Sequence, residues 1–369
     1  MNIIDILYVR YFKEDGSSMS IGGIQSYITQ LSKLATSMGY KVRVFQFGTH
    51  DFYRQTDIAD VYAILKQGNQ NGNLLIQKAA ELHNKNDRWL TIIANDTLIP
   101  SFYVPNSIVI QHGIGFDSCF GRKEPLLINF AKRAFQAYTI VKRLQNVDMV
   151  VCVDNNFINW YRTQTSFRNV NLLPIMNFAE IGPDIPKQIA DNIRIVFARR
   201  FVQIRGTHLF APVAKKLLEK YTNIEIMFAG SGPDEDFLKS VLGNDNRVKF
   251  GNYQSNESIS FHRQFDIAVV PTLYSEGTSL SLLEAMSAQC AVVCTNVGGM
   301  TNIILDEYNG LMVSPSETDL YKSLCRLIED SELRNKLSRN AYETVKTSFS
   351  LEKWQKEWSK ILSEHFERE

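Results

Sequence analysis

From Arg194 to Val313 the chain repeats one pattern, in which a short, apolar, often β-branched run is followed by a longer stretch with helical spacing. The runs are Arg194–Ala198, Ile224–Ala229, Arg247–Phe250, Asp266–Val270, Ala291–Thr295 and Leu311–Val313. Helical patterns over Thr207–Tyr221, Asp234–Leu242, Ser255–Arg263, Ser279–Ala288 and, briefly, Met300–Leu305 separate them. Strands this short and this apolar need cover on both faces, and crossover helices supply it, so the pattern predicts a parallel, doubly wound α/β sheet.

The first half repeats the theme less regularly. Strands are predicted near Ile3–Val9, Lys41–Phe47, Trp89–Ala94, Ile108–Gln111, Met149–Val153 and Asn171–Leu173, with the clearest helices over Gln25–Met38 and Leu126–Leu144. Pro174–Lys187, with three prolines, a glycine and two acids, interrupts both periodicities and is the predicted hinge. Three further helices, Glu317–Ile328, Ser331–Thr347 and Leu351–Phe366, close the sequence. A chain of 369 residues suits two cores better than one. We therefore expect two Rossmann-like domains, 1–176 and 177–350, facing across a cleft, with 351–369 packing back on the first.

A 44% hydrophobic and 21% charged composition excludes disorder and fibrous repeats. Five cysteines, odd in number and without a CxxC pair, read as reduced buried thiols rather than a disulfide framework or zinc site. Asp5 interrupts the first apolar stretch, no cleavage site follows it, and no apolar run nears the roughly 18 residues that span a bilayer. These features predict a cytoplasmic protein, and no nucleic-acid partner is expected. Lys and Arg number 18 against 13 acids over Met1–Phe178 and 22 against 26 thereafter, a split of +5 and −4 that suits an anionic partner for the first half.

The chemistry-bearing residues fall at ends of predicted strands. In Ser275–Glu284, Glu276 and Glu284 stand eight positions apart around the turn Gly277–Thr278–Ser279, and a helix opening near Ser279 and Leu280 would turn its N–H groups toward a phosphate. The two glutamates could reach the sugar and ribose hydroxyls of a nucleotide-sugar, or merely cap and solvate the helix. Arg200 and Arg205 flank the turn after the first strand of the second half, where two guanidinium groups can clamp a diphosphate; a solvated basic loop would look the same. Gly230, in the AGSGP turn, would let a backbone approach a ligand, or simply form a tight connection. Gly22 and Gly23 precede a helix and form a possible second phosphate wall. His112 ends a strand beside the expected cleft, where a catalytic contact and a structural role are both open.

Taken together, these residues resemble the family-4 retaining glycosyltransferases of the GT-B fold, also described as glycosyl transferases group 1. Arg200 falls at that family's arginine, Arg205–Gly206 at its Lys-Gly, and Glu276 and Glu284 at its E-x7-E motif. Gly22–Gly23, His112–Gly113, the hinge at Asn177 and Gly298–Gly299 extend the likeness over most of the chain. Arginine replaces the usual lysine at 205, which turns a point charge into a fork, and EGTS replaces EGFG. The resemblance implies a retaining, metal-independent transfer of a sugar from a nucleotide diphosphate donor to a glycan or lipid-linked acceptor, in bacterial surface polysaccharide synthesis, with no cofactor beyond the donor. Catalytic roles fall to Glu276, Arg200, Arg205 and His112. The donor-binding set is Gly22, Gly23, Arg200, Arg205, Gly230, Glu276, Gly277, Thr278, Ser279, Leu280 and Glu284. The one Asp-x-Asp pair, Asp234 and Asp236, reads as a helix opening rather than an ion site.

An epimerase or phosphorylase of the same architecture and a non-catalytic partner subunit are the competing readings; an NAD-dependent enzyme would need a GxGxxG stretch that the sequence lacks. Finally, Gly121–Leu144 carries six basic residues against Glu124, interleaved with Leu126, Leu127, Phe130, Phe135, Tyr138 and Ile140. Such a helix covers a sheet or lies on the anionic inner face of a membrane.

Overall fold

The computed structural model describes the chain except residues 21, 67, 69–71, 117–124, 165–169, 186, 188–191, 275 and 368–369. Cys119, the start of the basic segment at 121–124, Ser275 and part of the expected hinge thus lie outside the described residues. The chain divides into two compact units, one holding the sequence through Met176 and again from Trp354, the other Asn177–Lys353.

In chain order, the first unit has strands β1 (Asn2–Leu7), β2 (Lys41–Gly48), β3 (Phe52–Gln55), β4 (Asp60–Leu65), β5 (Arg88–Ile93), β6 (Ser107–Gln111), β7 (Met149–Cys152) and β8 (Asn171–Pro174). Its helices are α1 (Gly23–Ser37), α2 (Gly72–Glu81), α3 (Leu126–Arg143) and α4 (Asn155–Gln164). The sheet runs β3-β4-β2-β1-β5-β6-β7-β8, parallel except for β3, which pairs antiparallel with β4. The sequence pattern does not show β3 or β4, and it sets no bounds for α2 and α4 among the helices expected between the strands. In β3 three of four residues are exposed, so an edge strand of this kind carries no apolar run to find.

A lone acid in an apolar strand demands a buried partner, and β1 shows it. Asp5 sits directly opposite Arg43 of β2 in the parallel register and accepts hydrogen bonds from its Nε at 2.7 Å and Nη2 at 2.8 Å. His83 Nε2 adds a third contact at 2.7 Å, so this fully buried carboxylate is surrounded by donors. The last helix, α11 (Leu351–Glu367), turns Trp354 and Trp358 into this unit. Trp358 Nε1 donates to Tyr27 Oη of α1 at 2.8 Å, and the Tyr27 and Trp354 rings meet edge-on at 5.0 Å.

The second unit has β9 (Ile193–Ala198), β10 (Ile224–Ala229), β11 (Val248–Gly251), β12 (Ile267–Val270), β13 (Ala291–Thr295) and β14 (Leu311–Val313). Its helices are α5 (Thr207–Lys220), α6 (Glu235–Leu242), α7 (Ser258–His262), α8 (Leu280–Ser287), α9 (Glu317–Glu329) and α10 (Ser331–Ser348), and α11 (Leu351–Glu367) ends the chain. The sheet is wholly parallel, in the order β11-β10-β9-β12-β13-β14. Successive strands therefore step outward from β9 on one side and from β12 on the other. The switch point lies between these two, where open α/β sheets bind ligands beyond the carboxyl ends of the strands.

One expectation needs correction. The helix expected over Met300–Leu305 is a 3-10 turn, Gly298–Asn302, held open by a hydrogen bond from Gly299 N to Glu276 O at 2.6 Å. The division between the two units falls inside the expected hinge, at Met176–Asn177, and from there Asn177, Ala179, Glu180, Gly182 and Lys187 are hydrogen-bonded to Thr278, Phe349, Ser287 and Phe265 within the second unit.

Candidate functional site

The site at the β9/β12 switch point begins with Arg199, the residue after β9. It is buried; Nη1 donates to Thr272 Oγ1 at 2.8 Å, and Nη2 to both oxygens of Glu276 at 2.8 and 2.7 Å. Thr272 Oγ1 passes its own hydrogen to Glu276 Oε2 at 3.0 Å. Arg205 Nη1 stands 2.9 Å from the same oxygen, within ion-pair distance but without the angle of a hydrogen bond. Burial pushes the Glu276 carboxyl up, but the charges of Arg199 and Arg205 and the hydrogen bonds from Arg199 and Thr272 outweigh it and hold the carboxyl below its ordinary range. Glu276 is thus an ionised acceptor. Oε2 has three partners and Oε1 has Arg199, so the acceptor capacity left on this carboxylate lies chiefly on Oε1.

Glycines make this packing possible. A Cβ on Gly230, at φ 152°, would lie 2.1 Å from Arg199 O, and one on Gly299 would lie 2.3 Å from the carbonyl carbon of Gly277. The AGSGP turn therefore braces the arginine loop, and Gly298–Gly299 braces the Glu276–Gly277 loop.

Beyond that loop Thr278 and Ser279 are buried and α8 opens without a side-chain cap. Thr278 turns its hydroxyl oxygen and carbonyl to Asn177 N and Nδ2, at 2.8 and 2.5 Å, so its side chain anchors the turn to the chain entering this unit. On α8 itself, Glu284 is half-buried. Burial pushes its carboxyl up to about 7, with nearby Glu180 adding to the effect and a hydrogen bond from Ser258 opposing it. Arg200, one residue from Arg199, is exposed, and its side chain makes no hydrogen bond or ion pair among the described residues. Asp234 precedes α6 but makes no side-chain cap there; its carboxylate takes a hydrogen bond from Thr207 Oγ1 and lies 3.5 Å from His208 Nε2. No group of three or more His, Cys, Asp or Glu that could hold a metal forms among the described residues.

Gly22, Gly23 and His112 stand in the other unit. Gly22, at φ 169°, is extended backbone, and α1 opens at Gly23 without a side-chain cap, two residues earlier than the sequence pattern suggests. His112 Nε2 donates to Ala94 O at 3.0 Å, which leaves Nδ1 as an acceptor, and its ring meets Tyr27 of α1 edge-on at 5.7 Å. Burial pushes this imidazole down to about 4, so it is neutral near pH 7.

Residues 184–344 match the family described as "Glycosyl transferases group 1". The chain carries a domain of that family. It is 28% identical over 241 residues to the uncharacterized glycosyltransferase MJ1069 of Methanocaldococcus jannaschii, covering 63% of this chain and 59% of that protein. The chain spans about half the length of the first curated relatives it matches. Its fold is that of solved GT-B proteins. Sucrose-phosphate synthase from Thermosynechococcus elongatus superposes with a TM-score of 0.77, at 16% identity and full coverage of both chains. TarM of S. aureus, solved with Fondaparinux, alpha-GlcNAc-glycerol and UDP, gives 0.72 at 13% identity, covering 98% of this chain and 100% of that one.

Inside the group 1 domain the structure draws Arg205, Glu276, Gly277 and Gly230 into one cluster, with Glu284 further along α8. It also supplies two residues that the sequence reading passed over. Arg199 rather than Arg200 is the arginine bound to Glu276, and Thr272 links them. Arg199 directly follows β9 and Thr272 stands two residues past β12, but an Arg-Arg doublet does not reveal which side chain turns inward.

Proposed function

We propose that this chain is a retaining, metal-independent glycosyltransferase that moves a sugar from a nucleotide diphosphate donor to a glycan or lipid-linked acceptor, in the synthesis of a surface polysaccharide. The observation that carries the proposal is the Arg199–Thr272–Glu276–Arg205 cluster at the β9/β12 switch point, beside the uncapped start of α8. A departing diphosphate gathers negative charge. Arg205 and the exposed Arg200 supply fixed positive charge, and the first turn of α8 supplies backbone donors, so the leaving group is stabilised without reorganisation. Glu276, ionised and held by Arg199, offers Oε1 to a donor-sugar hydroxyl and keeps Arg205 in position. Glu284 offers a second carboxyl group to the ribose hydroxyls, as an acceptor in either protonation state. His112, neutral with Nδ1 as acceptor, offers a contact for a hydroxyl in the other unit. UDP in the TarM structure supports a nucleoside diphosphate as the bound product here.

The test is transfer from a panel of nucleotide-sugars to a synthetic glycan or polyprenyl-linked acceptor, followed by proton NMR with and without EDTA. The proposal expects product with the donor's anomeric configuration at equal rates in both. An inverted product, an EDTA-sensitive rate, or conversion of donor alone to an epimer would overturn it.

A further inference from the structure

We propose that Asp96 is the residue of the first unit that selects the acceptor, by holding, together with His112, two neighbouring hydroxyls of a neutral sugar. This inference rests on the proposed sugar transfer and deepens it by naming the class of acceptor. The first sheet has a switch point of its own, between β1 and β5, because β2 and β4 step outward on one side and β6, β7 and β8 on the other. Asp96 lies three residues past β5, and His112 directly follows β6. Tyr27, on the helix that follows β1, meets the His112 ring from the other side of the switch point.

Hydrogen bonds pin each of the two side chains to the other's strand. His112 Nε2 donates to Ala94 O at 3.0 Å, two residues before Asp96, and Gln111, next to His112, donates from Nε2 to Asp96 Oδ2 at 3.1 Å. Gly113 fixes the orientation of that amide. Its N donates to Gln111 Oε1 at 2.7 Å and its O accepts from Nε2 at 2.6 Å, with φ at 109°, a backbone conformation that favours glycine. Burial pushes the Asp96 carboxyl up to about 6, against hydrogen bonds from Gln111 and the Thr97 backbone, so it is chiefly ionised from about pH 7 upward. Asp96 therefore keeps acceptor positions unused, and neutral His112 keeps Nδ1. No charged side chain among the described residues contributes to the shift of either group. Two acceptors without a cation suit a ligand that brings two donors, whereas a phosphate or carboxylate would meet only like charge and lone pairs. Vicinal sugar hydroxyls are such donors, and both side chains are half-buried, open enough to touch a ligand.

The experiment is saturation-transfer NMR of the full chain with the methyl glycosides of glucose, galactose, mannose and N-acetylglucosamine, and with those of glucuronic acid and mannose 6-phosphate. Asp96→Ala removes the carboxylate. Asp96→Asn keeps its size, but with its oxygen on Gln111 it turns an NH2 donor toward the ligand. Thermal unfolding and nucleoside diphosphate binding are read in parallel to show that each variant is folded. At least one neutral glycoside should bind the wild type and the acidic two should not, and both variants should bind it about 10–100-fold more weakly, the range for a hydrogen bond to a charged group. In a transfer assay the acceptor KM should rise by the same factor while the donor KM holds. Binding of no neutral glycoside, preference for an acidic one, or variants that bind as wild type does would overturn the proposal. So would a rise in donor KM alone, or a glycoside displaced by UDP-glucose or GDP-mannose but not by the free diphosphate, since the site would then take the donor's sugar. A chain that binds nucleoside diphosphate but shows no dependence on Asp96 loses only this inference. One that binds glycosides through Asp96 but no diphosphate loses the proposed activity.

Discussion

Replacing Arg199 with methionine removes the guanidinium that ties β9 to the Glu276 loop while keeping apolar bulk in its place. The side chain is 4% exposed and Glu276 17%, so solvent replaces little of what is lost. Two charge-assisted contacts to the carboxylate and one hydrogen bond to Thr272 disappear. Breaking one side of such a buried pair costs about 3–5 kcal/mol, and the remaining Arg205 favours the lower end. At about 2–4 °C per kcal/mol for a domain of this size, melting should fall on the order of 10 °C. Arg200→Met, one residue away but exposed, should stay within about 0.5 kcal/mol of wild type. The double variant R199M/E276L should recover part of the loss, since no unpaired carboxylate remains. Acid supplies an independent check. Because the folded-state carboxyl of Glu276 lies below its ordinary value of 4.5, its contribution is present above that pH and lost as pH falls through the folded value. The gap between R199M and wild type should therefore be widest near neutrality and narrow in acid. Calorimetric melting of the four proteins across pH decides the matter; R199M melting with wild type, or R200M melting as low as R199M, would refute the reasoning.

Three further outcomes follow from the same geometry. Glu284 holds its proton up to about 7 against 4.5 unfolded, so stability should decline as pH rises through that window and level off above it. E284Q should lack this decline and gain up to about 3 kcal/mol relative to wild type at pH 8, read by urea unfolding; parallel pH profiles would count against the assignment. Gly299→Ala puts a methyl into the Gly277 backbone and should lower nucleoside diphosphate affinity by at least about tenfold while costing about 1–3 kcal/mol of stability, measured by titration and melting; unchanged affinity would mean that the loop has no part in the site. Trp358→Ala should destabilise the first unit by about 3–5 kcal/mol in denaturant unfolding, whereas a change within about 0.5 kcal/mol would make α11 an ornament to that core.

The alternation of apolar runs and helical spacing made the second sheet legible almost strand for strand, because parallel strands buried on both faces must be apolar throughout. The first sheet was less legible where its strands are half exposed, as in β3 and β4. The E-x7-E spacing singled out the loop after β12 and helix α8, where Glu276 and Glu284 stand. Arg199, Thr272 and the engagement of Thr278 by Asn177 escaped notice because each is a contact across distant segments, 73 to 101 positions apart, which local pattern does not encode. Asp5 was readable only as a break in an apolar stretch; its partner Arg43 lies opposite it in the next strand, and only the sheet register supplies that pairing.

Titration calorimetry of nucleoside diphosphates against wild type and Arg205→Ala tests the central claim most directly, since binding at the β9/β12 switch point underlies every proposed role. One diphosphate among UDP, GDP, ADP and dTDP should bind, its monophosphate should bind more weakly, and R205A should reduce the affinity by about 10–100-fold, the worth of hydrogen bonds to a charged group. No binding by any diphosphate, or an R205A variant that binds as wild type does, would contradict the account.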